Sequence, residues 1–204
     1  MKKLATLFAM TAVGLGSAWA QGTIDFHNPN TFPLRVQDAA GNVTTVGSTG
    51  SPLGPQSVRV GLFMSTTPTA TSISQMTMVG MTTNSASTVA LFVGTFNGGN
   101  PYTITPSTPN AQVAFAFAAW SISTGALTYD AAKLATTGYL GESAIGQNYT
   151  LGGFGSPPSL PGATFGAGAG QISGFTLTPV AVPEPSTLVL GVLGAGALLM
   201  RRRK

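Results

Sequence analysis

The chain has 204 residues and a mass of 20.6 kDa, which fits one domain of ordinary size. Charged residues make up 7% against a globular average near ~25%, while hydrophobic residues make up 43% and mean hydropathy is +0.30, so a charge-rich disordered chain is excluded. The net charge of +4 is carried by the ends, where Lys2, Lys3, Arg201, Arg202, Arg203 and Lys204 lie; between Gln21 and Val182 only Arg35, Arg59 and Lys133 stand against Asp25, Asp38, Asp130 and Glu142. A nearly neutral body offers no basic patch for phosphates, which excludes nucleic acid as a partner.

Residues 1–20 read as a secretory signal peptide. Lys2 and Lys3 form its charged start, and residues 4–16 form an apolar run shorter than a membrane span. Ala18-Trp19-Ala20 is a small-x-small cleavage site, so signal peptidase is expected to leave Gln21 as the new N-terminus after Sec-type export. The alternative is an uncleaved anchor helix. The chain has no Cys, so an exported body must rest on its core alone, without disulfides.

Residues 21–178 read as an all-β, β-sandwich-like body. The chain is rich in turn and hydroxyl residues, with 27 Gly, 14 Pro, 28 Thr and 17 Ser. Turns are expected at Asn28-Pro29, Ala40-Gly41-Asn42, Gly50-Ser51-Pro52, Asn97-Gly98-Gly99-Asn100 and Ser156-Pro157-Pro158. Between them, strands are expected at 23–27, 57–64, 88–93, 102–105, 112–120 and 171–178. In the second, Val58, Val60, Leu62 and Met64 alternate onto one face. In the fifth, Val113, Phe115 and Phe117 occupy one face and Ala114, Ala116, Ala118 and Trp120 the other, as in a strand buried on both sides. One short helix is expected at 130–136, with Asp130 as N-cap and Gly138 past its end. Residues 151–170 read as a Gly/Pro-rich loop outside the core.

The body is poor in chemistry. His27 is the one histidine. Asp25 shares its face on a strand, so a Ser–His–Asp arrangement with one of the many serines is formally possible, but i, i+2 neighbours are poorly placed for the hydrogen bond it needs, and His27 is expected to be solvated on an edge strand. One His and no Cys make a transition-metal site unexpected. The four dispersed acids favour neither a calcium cage nor a paired-carboxylate hydrolase. Gly166, Gly168 and Gly170 lack the strand-to-helix context of a dinucleotide loop. Two N-glycosylation sequons, Asn42-Val43-Thr44 and Asn148-Tyr149-Thr150, are a weak signal. No catalytic residue, metal or cofactor is therefore expected, and the chain reads as a non-enzyme. The alternative is a carbohydrate-binding module of an exopolysaccharide matrix, stacking sugars on Tyr102, Trp120, Tyr129, Tyr139 or Tyr149, although such rings usually fill a core.

The C-terminus has three parts. A linker, 179–187, contains Pro183, Glu184, Pro185, Ser186 and Thr187; an uncharged run spans 188–200; Arg201, Arg202, Arg203 and Lys204 follow. Thirteen helical residues rise about 20 Å, short of the ~30 Å hydrocarbon core. Snorkelling cations and local thinning can close that gap. A buried core helix is the alternative, but four cations directly after the run act as a stop-transfer signal on the cytoplasmic side. Residues 188–200 are therefore expected to form a short transmembrane helix, with 201–204 as a cytoplasmic tail.

This order of motif, apolar run and basic cluster resembles the PEP-CTERM protein-sorting signal of Gram-negative bacteria, which is paired with an N-terminal signal peptide. The resemblance implies a substrate of exosortase, a membrane-embedded cysteine transpeptidase-like enzyme. It implies cleavage at or near Pro183-Glu184-Pro185 after transient anchoring in the inner membrane, then delivery to the cell surface or extracellular matrix. Two prolines hold such a segment extended and remove backbone donors, which suits a recognition tag. More weakly, Ala119-Trp120-Ser121 with Thr128-Tyr129-Asp130-Ala131-Ala132 and the later Pro157-Pro158 resembles the ectodomain common among PEP-CTERM proteins of Verrucomicrobia-like bacteria, with which no activity travels.

Overall fold

A computed structural model describes residues 21–180. The expected signal peptide, sorting motif, transmembrane run and basic tail lie outside the described residues. In chain order the strands are β1 (Gly22–His27), β2 (Arg35–Gln37), β3 (Val43–Thr45), β4 (Val58–Ser65), β5 (Thr77–Thr83), β6 (Asn97–Ile104), β7 (Gln112–Ser121), β8 (Tyr139–Glu142), β9 (Gly146–Thr150), β10 (Gly152–Gly153) and β11 (Thr176–Pro179). The helix α1 (Tyr129–Lys133) lies between β7 and β8.

The fold is an all-β sandwich-like body. Its larger sheet runs β3-β2-β11-β8-β7-β4-β5, with β9 also on β7; the smaller runs β10-β1-β6. The pair at the centre of the larger sheet follows directly from the residue pattern. β4 and β7 are antiparallel from Val58↔Ser121 to Ser65↔Ala114. Val58, Val60 and Leu62 face inward from β4, and Val113, Phe115, Phe117 and Ala119 from β7, all buried in the main core. The other face of β7 is covered too. Ala118 and Trp120 pack with Tyr129 and Ala132 of α1, which explains why β7 is apolar on both sides. β8 and β9 share the remaining edge of β7. In the gap between them Ser143 takes over the ladder, donating its N–H to the Phe117 carbonyl at 2.8 Å and accepting the Phe117 N–H on Oγ at 2.9 Å.

The two sheets meet through aromatic rings. Phe26 of β1 stacks on Phe117 at 5.8 Å, and Phe117 stacks on Phe165 at 5.1 Å. Phe96 stands edge-on to both Phe26 and Phe117. Such ring pairs add about 0.5–1.5 kcal/mol each beyond the area they bury. In a chain without cysteine they hold the sandwich closed.

The expected strands at 23–27, 57–64 and 112–120 are found as β1, β4 and β7. Four other expectations are corrected. Residues 88–93 form a turn, in which Phe92 N–H reaches the Val89 carbonyl and Thr95 Oγ1 donates to the Phe92 carbonyl at 2.7 Å. Local hydroxyl and backbone bonds satisfy that segment without a ladder, and Val89, Leu91 and Phe92 stay exposed. The run Asn97-Gly98-Gly99-Asn100, expected as a turn, begins β6. A Cβ at Gly98 would collide with the Phe26 ring, so glycine there serves close packing rather than reversal. The helix is capped by Thr128, whose Oγ1 accepts the Ala131 N–H at 3.2 Å; Asp130 sits inside the first turn, paired with Lys133 at 2.7 Å. Residues 151–170 are not outside the core. Leu151, Thr164 and Phe165 are buried, and β10 pairs with β1.

Candidate functional site

The titratable pair of the body lies on β1. This strand runs between β10 and β6, but β10 reaches only Gly22 and Thr23, so at His27 the strand is paired on the β6 side alone, an edge position as its sequence context suggested. The register against β6 shifts between Ile24 and Phe26 and again between Phe26 and His27. Such bulges bend the strand and re-aim its side chains. Here the bend brings Asp25 and His27 into contact, and His27 Nδ1 hydrogen-bonds the Asp25 carboxylate. The expectation that i, i+2 neighbours are poorly placed to hydrogen-bond is thus corrected, because it assumed a regular strand.

Asp25 is buried while His27 is half-exposed. Burial pushes the Asp25 carboxyl above its ordinary value, with the His27 hydrogen bond pulling the other way. Thr164 Oγ1 donates to the Asp25 backbone carbonyl at 3.0 Å. Nearby, Tyr149 Oη donates to the Gly162 carbonyl, and burial raises its phenol far above the usual range. Neither Thr164 nor Gly162 carries a sequence signal for this role, since each reaches the site by long-range folding of the 151–170 segment.

His27, its Nδ1 engaged by Asp25, lines a cleft together with Asn30, Leu91, Phe92 and Asn97. A carboxylate-oriented imidazole is the base half of a hydrolytic triad. Among the described residues the ring bonds to Asp25 and to no hydroxyl. Asn28, beside it, is spent on the fold. It donates to the carbonyls of Phe32 and Gly94 at 2.9 and 3.0 Å and accepts the Phe96 N–H at 2.6 Å. The arrangement pins the β1 end to the 91–97 segment.

The rings considered for sugar stacking are claimed by packing. Trp120, Tyr129 and Tyr149 are buried, and Tyr102 and Tyr139 pack half-buried against the core. Trp120 Nε1 donates to the Ala126 carbonyl at 3.0 Å, an oxygen that also accepts from Arg59 Nη1 at 2.6 Å. Tyr102 Oη donates to the Val79 carbonyl at 2.9 Å. The acids stay dispersed. Asp38 accepts bonds from Asn42 and Ala40 in the β2–β3 turn, which lowers its carboxyl; the Asn42 side chain is the largest cause.

The remaining candidate is the point where the body hands over to the C-terminal segment. β11 lies inside the larger sheet, parallel to β2 and antiparallel to β8. Leu177 is fully buried there, and Val180 N–H donates to the Gly138 carbonyl at 2.8 Å. Directly beyond Val180, residues 181–204 match the family model of the PEP-CTERM protein-sorting motif. The chain carries a PEP-CTERM sorting motif. No curated protein and no solved structure matches it. The PEP-CTERM match includes Pro183, Glu184, Pro185, Ser186, Thr187 and the cluster Arg201 to Lys204, the residues singled out from sequence, all of them outside the described residues. It marks a secreted protein that exosortase processes and that is sorted at the membrane toward the cell surface. The expected transmembrane run is likewise outside the described residues; among those described, no helix is long and apolar enough to cross a membrane.

Proposed function

We propose that this chain is an exported, non-enzymatic protein of a Gram-negative bacterium. Signal peptidase removes residues 1–20, residues 188–200 anchor the chain in the inner membrane, and exosortase cuts at or near Pro183-Glu184-Pro185. The body is then delivered to the cell surface or extracellular matrix. The observation that carries this reading is the placement of the motif against the fold. Among the described residues the last fully buried side chain is Leu177, and the sorting match starts at residue 181. A cut at 183–185 therefore removes no strand and no core side chain of the described body. At the other end, β1 starts at Gly22, two residues after the expected signal-peptidase site at Ala18-Trp19-Ala20, so that cut also spares the sheet.

The rings that could have stacked sugars are buried or packed against the core, which supports a structural or display role over sugar binding. The contact between Trp120 and Tyr129, rings 5.8 Å apart, joins the two segments that carry the likeness to Verrucomicrobia-like ectodomains, and we assign the body to that type.

Intact mass of the mature protein from an exosortase-positive cell tests the reading. The expected mass begins at Gln21 and lacks residues 188–204. Mature protein that still carries Arg201 to Lys204 overturns it.

A further inference from the structure

The place where β11 ends sets the point from which the chain leaves the body toward its C-terminal segment. Val180 is bonded to Gly138. A Cβ on Gly138 would touch Ser121 and Thr124, so this exit abuts the single turn Ile122–Thr124 that follows β7. Four residues before Gly138, α1 ends at its C-cap, Leu134. Between Val180 and Leu188, the first residue of the apolar run, the chain advances eight residues, a reach of at most about 29 Å.

The stretch between β7 and Gly138 exposes three large apolar side chains. Leu134 is 85% exposed and Leu127 69%, one at each end of α1, and Ile122 is 37% exposed on the adjoining turn. The inner face of α1 is satisfied, with Tyr129 and Ala132 buried against Trp120. Its charges are neutralised locally by the Asp130–Lys133 pair. The leucines therefore stand out as apolar groups that the body itself does not need.

We propose that this end of the body, Ile122, Leu127 and Leu134, lies on the phospholipid surface while the chain is anchored, and lets go once the anchor is cut away. This rests on the anchored-substrate reading above. A short tether gives an effective concentration in the millimolar range, so a small patch is enough to keep the end on the membrane. Without the tether a few aliphatic side chains give only marginal, reversible binding. One cut at the sorting motif thus removes both the anchor and the contact, and the body is released.

Because the chain has no Cys, single labels can be placed cleanly. Leu134→Cys, Leu127→Cys and, on the loop beside β10, Leu160→Cys each carry a polarity-sensitive fluorophore in a chain spanning 21–204. Each is reconstituted in phosphatidylethanolamine–phosphatidylglycerol vesicles with a spin-labelled lipid as quencher. The probes at 134 and 127 should be quenched several-fold more than the probe at 160, although Leu160 is itself 87% exposed. Removing residues 183–204 should abolish that difference. A chain that floats with the vesicles while the three probes quench alike overturns the docking and leaves the anchor standing. A chain that does not float overturns the anchor, and the docking with it.

Discussion

Asp25 and His27, two residues apart on β1, are hydrogen-bonded through their side chains because the strand bulges between them. The pair has a consequence for pH. Burial lifts the Asp25 carboxyl above its ordinary 3.8, so the folded chain holds that proton more tightly than the unfolded chain does. Stability contributed by this group is greatest below 3.8 and declines as pH rises through the raised native value. Asp25→Asn keeps an acceptor for His27 and removes the ionisation. Urea midpoints from about pH 3 to about pH 7 should show the variant gaining on the parent as pH rises. A constant gap across that range counts against a raised carboxyl.

The aromatic core gives a second prediction. Phe117 is fully buried and meets Phe26, Phe96, Phe115 and Phe165. Phe117→Ala should cost about 3–5 kcal/mol, a large share of the ~5–15 kcal/mol that holds a domain together. Phe92→Ala, at a ring 51% exposed on the 88–93 turn, should stay within about 0.5 kcal/mol. Equal losses at the two positions would mean that the turn residue is core after all.

That contrast shows what could be read from sequence. β4 and β7 announce themselves because alternation, or its absence in a strand covered on both faces, is a property of consecutive residues. The segment 88–93 has the same Val, Leu and Phe content, yet Ser87 and Thr95 hydroxyls bond its backbone locally and Gly94 reverses it. β2, β3 and β8 have three or four residues each, too few to show a period. β11 finds its place through partners at Arg35 and Leu140, far away in the chain. The Asp25–His27 bond depends on a bulge, and Thr164 joins Asp25 from 139 residues away. The sorting motif, by contrast, is legible because it is a linear signal of motif, apolar run and cations.

The cap of α1 can be tested at two adjacent sites. Thr128 Oγ1 accepts the Ala131 N–H, whereas Asp130 is exposed and pairs with Lys133. Thr128→Ala should cost about 0.5–2 kcal/mol. Asp130→Ala should cost no more than about 0.5 kcal/mol, as exposed pairs do. Thermal unfolding of both variants decides the order, and a larger loss at Asp130 would return the cap to that residue.

At Gly141 an added Cβ would come within 2.7 Å of the Thr176 carbonyl oxygen and 3.0 Å of the Leu177 Cα. These are backbone atoms of β11 and cannot swing aside. Gly141→Ala should therefore loosen β11 from β8 at a cost of about 1–3 kcal/mol, as overpacking does. Hydrogen exchange at Thr178 and Val180 is the readout, and protection equal to the parent's would mean that the strands have room to spare.

The division between body and tag makes the sharpest prediction. Leu177 is buried between strands on both sides, while the sorting match begins at residue 181. A chain spanning 21–182 should unfold at the same urea concentration as the longer 21–187 chain. A chain ending at 175 loses β11, exposes the edges of β2 and β8, and should fail to give a cooperative transition. In the cell, deleting Pro183 to Pro185 from the full chain should leave the body folded but the chain uncut, so that Arg201 to Lys204 remain attached in the membrane fraction. Detection of that tail by mass reads the outcome. Normal removal of the tail from the deletion variant would show that the enzyme recognises something other than the proline-flanked glutamate.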